Sequence, residues 1–168
     1  MSSNRVWPRA AADDEVRLLT DFLTFLRLTA VGKVEGLSRE QATAAPIPTS
    51  PVVTALGVIK HLIAVERYWL SIEAGGLDVP ALWGEDADAS WRIEDHETVA
   101  SVLADYRAEW ERSAEAIAGL GPGDRTRADR DGNGRTLRWV LAHLVQETGR
   151  HVGHLDFLRE LADGEKGE

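Results

Sequence analysis

No cysteine occurs among the 168 residues of this chain. Its absence excludes disulfides, thiolate metal sites and a cysteine nucleophile together, so any metal must be held by histidine, aspartate or glutamate. Long apolar runs are also missing. None approaches the ~18 uncharged residues that a membrane span requires, and no membrane partner is expected. Positive charge is in short supply: 19 basic residues face 28 acidic ones, for a formal charge of −9. Such a surface does not attract a phosphate backbone, and no stretch concentrates Lys and Arg enough to overturn it, so nucleic acid is not an expected partner. The opening segment MSSNRVWPRAAADDE lacks the apolar core of a secretory signal, and neither Asn4 nor Asn133 opens a glycosylation acceptor. Cytoplasmic residence is the expectation.

What the chain does contain is ordinary globular material, 43% hydrophobic and 28% charged, in a length that can bury roughly 70% of its unfolded surface. Residues 1–168 are expected to form one domain, with 1–12 as a flexible terminus. Strand signals are sparse, whereas apolar residues recur at helical spacing in four segments, about 13–34, 51–73, 95–120 and 136–162. Ser50-Pro51 suits a helix start, Gly75-Gly76 a stop, and Thr136 an N-cap. The stretch from Gly75 to about Glu94 is long for a bundle connection and holds Trp83 and Trp91; connections of that length are usually functional or mobile. The simplest way to bury four apolar stripes is an all-α four-helix bundle.

The last helix carries an unusual stripe. AHLVQETGRHVGHLDFLRE, Ala142 to Glu160, places His143, Glu147, His151 and His154 three or four residues apart. At about 100° per residue, with His143 at zero, the apolar residues Leu137, Val140, Leu141, Leu144, Leu155 and Leu158 fall between roughly 60° and 160°. Glu147 at about 40° and His151 at about 80° lie in or beside that arc, and His143 and His154 at its edge. In the second helix, GVIKHLIAVERYWL, His61 shares the side of Val58, Val65, Tyr68 and Ile72 and also points inward. A buried carboxylate needs a partner. His151 one turn on would supply it as an i,i+4 pair, leaving satisfied core histidines. Alternatively His61, Glu147 and His151 converge as a two-His, one-carboxylate metal site with an open position, which zinc takes in catalytic centres and iron, nickel or cobalt also accept.

LGVIKHLIAVERYWL and TLRWVLAHLVQETGRHVGHLDFLRELADG, with GLSREQATAAPIP before them, resemble the DinB-like superfamily of four-helix metalloproteins, specifically its DUF664 branch. The resemblance spans nearly the whole chain. It implies a divalent metal bound by His61 and by two helix-four residues four apart, Glu147 and His151. Many relatives have histidine at the first of these, and a His-Glu-His set is similar to that of mycothiol-dependent maleylpyruvate isomerase. The function implied is S-transfer from a small thiol such as mycothiol to an electrophile, the metal being zinc, with nickel or iron as substitutes. A non-catalytic metal-stabilised bundle and a mycothiol-dependent isomerase are the alternatives. A homodimer is admitted, since relatives of this fold often dimerise.

On that reading Trp83 and Trp91 would cover the electrophile, and Arg92, the only arginine in their loop, would steady an anionic substrate unless it is simply a solvated charge. His154 and His143 either back the site or shuttle a proton, or face water at the helix edge. His96 is expected at the surface and Glu66 in a structural role beside arginine. Trp69, Trp110 and Trp139 are expected to pack. DRDGNG opens like a calcium loop but has Val140 where the twelfth-position glutamate belongs, so it is a turn.

Overall fold

The computed structural model describes residues 5–8, 14–86 and 88–167; the terminus expected to be flexible, 1–12, lies outside them apart from 5–8. Among the described residues the fold is all-α: α1 (Glu15–Val34), a short α2 (Arg39–Thr43), α3 (Ala55–Glu66) running directly into a π-helical turn (Arg67–Ala74), α4 (Val99–Ala116) and α5 (Leu137–Asp163). None of these helices is long and apolar enough to cross a membrane. α1 lies along α5, α3 against α4, and α3 also meets α5.

The four expected helices are present, with corrected starts that follow from their caps. Ser50-Pro51 opens a hydrogen-bonded turn, in which the Val53 N–H donates to the Ser50 carbonyl at 3.0 Å. The helix begins later, where the Thr54 hydroxyl accepts from the Gly57 N–H at 2.9 Å. The third starts at Val99 rather than 95, because Thr98 and Ser101 form a reciprocal capping box, and it ends at Ala116 rather than 120. Thr136 caps α5 as expected, and Gly164 closes it in the left-handed conformation at φ 83°. The unpredicted α2 has its own capping box, Ser38 with Gln41.

The core is in two parts. One gathers Val31, Val34, Leu56, Ile59, Leu62, Tyr106 and Leu155; the other Leu23, Val65, Leu70, Leu137, Leu141 and Leu144. Between them runs a polar layer. Arg27 of α1 donates through Nε to Glu66 Oε1 at 3.0 Å and through its terminal nitrogen to Oε2, and the Glu66 carboxylate is wholly buried. Just beyond, α4 grips the π turn: Glu109 accepts from Arg67 Nε at 3.0 Å and from the Ser71 hydroxyl at 2.7 Å. The wider ladder shows in the Gly75 N–H, which reaches five residues back to the Leu70 carbonyl. A Cβ at Gly75 would stand 2.5 Å from that of Ala116, so only glycine permits this approach to α4.

Candidate metal centre

Between Leu144 and Leu155, α5 gives the two apolar clusters only the partly buried Val145 and Val152, and it carries Glu147, Thr148 and His151. His151 is buried, while Glu147 and, on α3, His61 are half-buried. One turn separates Glu147 from His151, which lets the carboxylate oxygen Oε1 stand 3.1 Å from His151 Nε2. His61 Nε2 faces the same oxygen from α3 at 3.7 Å. One ligand atom from each of the three residues lies within 4.8 Å of the others.

Each imidazole is held from behind. His61 Nδ1 is 3.2 Å from the hydroxyl of the buried Ser90, and the ring stacks on Trp91 with centroids 4.0 Å apart at 12°. His151 Nδ1 meets His154 Nδ1 at 3.2 Å. A neutral imidazole has a single N–H. If His151 carries it on Nε2 it donates to Glu147, the plain i,i+4 pair; if on Nδ1 it donates to His154 and leaves an Nε2 lone pair facing the gap. His61 can likewise donate from Nδ1 to Ser90 and present Nε2. Both rings therefore have an outer partner at Nδ1, as metal-ligating histidines usually do, here a hydroxyl and a third imidazole, and the donor set is chemically suited to a divalent cation.

Charge in the cluster is strongly biased. Burial and the neighbouring His151 push His61 down to about 4. Burial also lowers His151, against the opposing pull of Glu147. For Glu147 burial acts upward, but the imidazoles of His151, His61 and His143 together outweigh it and keep the carboxyl below its usual range. Histidines with folded pKa values below the ordinary 6.5 cost nothing above that pH. Below it the unfolded chain gains protons that the folded chain refuses, so stability falls as pH drops from 6.5 to about 4. Chelator-treated protein should lose on the order of 2–3 kcal/mol across that window, measured by urea unfolding at a series of pH values. A flat profile would contradict the assigned environment of these rings.

The remaining candidates separate. His143 lies one turn before Glu147, stacked on Trp139 at 5.2 Å and edge-on to Trp69 at 5.0 Å, and burial lowers its pKa. His154 abuts His151 and is half-buried, so neither edge histidine is a plain surface residue. Trp91 touches both His61 and His151. Trp83 packs instead on Tyr68 at 5.1 Å. Arg92 is exposed and its guanidinium pairs with Asp86 at 3.0 Å. His96 is exposed in a turn before α4. Trp69 and Trp110 pack against the two core clusters, and Trp139 is exposed. DRDGNG is a turn: the Asp129 side chain accepts from the Gly134 N–H, and Asp131 engages Asn133 and Arg135. Ser90 went unseen in the sequence, because a serine in an irregular loop carries no periodic signal that would orient it.

The chain is similar in fold to the crystal structure of a conserved protein from Enterococcus faecalis, with a TM-score of 0.66 over 92% of this chain and 100% of that one, at 15% sequence identity. No curated protein matches it. A family model described as mycothiol S-transferase matches residues 18–164, a span that includes His61, Glu147 and His151. With that match over most of its length, the chain belongs to the mycothiol S-transferase family.

Proposed function

We propose that the protein is a divalent-metal-dependent thiol S-transferase, in which His61, Glu147 and His151 hold the ion and mycothiol is the thiol. The observation that carries this reading is the convergence of two imidazoles and a carboxylate, from two helices, within 4.8 Å. Zinc takes such a set in catalytic sites and leaves a fourth position free, while nickel and iron are chemically acceptable substitutes. When bound, a divalent cation supplies Lewis acidity that brings a thiol's pKa toward neutrality.

The chain's own residues do the rest. Burial keeps His61 and His151 neutral, hence available as donors at pH 7. His143, neutral for the same reason and on the same stripe, takes the thiol proton at a ring nitrogen. The thiol sulfur then bonds to the electrophilic carbon as the leaving group departs with its electron pair. Trp91 closes one side of the centre against water. Arg92 would have to release Asp86 to hold an anionic substrate. Such a reaction belongs in the reducing cytoplasm, where a small thiol stays reduced.

Zinc-loaded protein should conjugate mycothiol to a bimane electrophile well above the uncatalysed rate, and chelation should return the rate to background. If zinc binds without turnover and chelation mainly lowers the melting temperature, the protein is instead a metal-stabilised bundle that does no chemistry.

A further inference from the structure

The segment that meets His61 from behind is fastened to α3 at several points. Lys60 donates from Nζ to the Arg92 carbonyl at 2.6 Å and to Glu97 Oε2 at 2.9 Å. The same Glu97 oxygen accepts from the Glu94 N–H at 2.7 Å, and Arg39 of α2 donates to the carbonyls of Glu94 and Glu97. One turn before His61, Gly57 has no side chain to obstruct the segment: a Cβ there would come within 2.9 Å of the Trp91 carbonyl. The result is a strap lying along α3. It delivers one hydroxyl and one stacked indole face to the His61 imidazole, with the Ser90 side chain buried and the rings nearly parallel.

An imidazole on a helix has two torsions, and aiming Nε2 at a shared point needs both fixed. The contact at Nδ1 restricts one rotation and selects the tautomer. Stacking fixes the ring plane. We infer that Ser90 and Trp91 are positioning residues of the centre: they keep His61 Nε2 directed at Glu147 and His151, so that loading a divalent cation and seating the strap are one coupled event. The inference rests on reading His61, Glu147 and His151 as a metal set.

Zinc alone is the probe. Its affinity is measured by competition with a chromogenic chelator, and tryptophan emission is followed through the same titration. Ser90→Ala should weaken zinc binding roughly 10- to 100-fold, as loss of an outer-shell partner does elsewhere, and Ser90→Thr, which keeps the hydroxyl, should restore most of it. Zinc should also change the emission of the unmodified protein, and Trp91→Phe should abolish that change while still binding zinc. If Ser90→Ala binds zinc as tightly as the unmodified protein while His61→Ala does not bind, the strap is mere packing and the inference falls, though the metal set stands. If the unmodified protein takes up no zinc, both fall. Should Ser90→Ala fail to fold by circular dichroism, the Trp91 pair decides: an emission change that survives Trp91→Phe overturns the coupling.

Discussion

His61→Ala and Glu147→Ala should each reduce zinc from about one ion per chain to a trace by elemental analysis, with affinity falling more than the 10- to 100-fold typical of an outer-shell partner. The two substitutions remove proposed ligands from different helices, α3 and α5. Two protein donors fall short of the three or four that zinc sites use. Glu147→His is the instructive companion. It returns the His-x-x-x-His pair that many relatives carry, so zinc should be retained, although the site then loses the carboxylate's compensating charge. Neither alanine variant should unfold the protein, because neither ligand is fully buried. His61→Ala also removes one of the groups responsible for acid lability, so its stability should decline less between pH 6.5 and 4 than that of the chelated parent. Unchanged metal stoichiometry in both alanine variants would refute the assignment.

Arg27→Ala should be the most damaging single change to stability, costing about 3–5 kcal/mol by chemical or thermal unfolding. The carboxyl group it leaves behind, Glu66, is 0% exposed and would stand in the bundle interior without its partner. The loss would reach the π turn, since Glu66 is the last residue of α3 before the ladder widens. Replacing both partners by methionine tests the explanation. If the cost of Arg27→Ala comes from the stranded charge, Arg27→Met with Glu66→Met should recover most of the stability, since matched apolar pairs often equal or better a buried ion pair. A double variant as unstable as the single one would shift the cause to lost packing, including that of the Arg27 guanidinium over the Trp110 ring at 5.6 Å.

The features legible in the sequence were those that repeat at the helical period. The angular positions of Glu147 and His151 relative to Leu144 and Leu155 separated them from residues that face out, and the Thr136 cap marked where α5 begins. His61 could be placed inward because Val58 and Val65 flank it on the same side. What escaped depends on distant or irregular partners. The sequence points to a structural role for Glu66, but no local pattern pairs it with Arg27, 39 residues earlier. The π turn leaves no signature in RYWLSIEA, since its support comes from Glu109 on α4. Ser50-Pro51 imitated a helix start because serine and proline suit the first positions of a helix and of a turn equally. His143 and His154 sat at the edge of the arc, where a rotation of a few tens of degrees decides between water and a neighbouring ring.

The lack of cysteine takes on a different meaning once α3 and α5 are seen side by side. His61 and Glu147 are brought together by closing about half of the chain's length into a loop, an entropy that the packed helices have already met. On the proposed metal set, an ion arriving there would find its ligands prearranged, whereas the same residues in an unfolded chain would have to find one another first. Whatever affinity the folded chain gains over the unfolded one acts as a reversible cross-link between distant segments, one that adds to stability in proportion to the logarithm of free metal. A thiol-free chain would thus acquire a staple that no thiol can reduce.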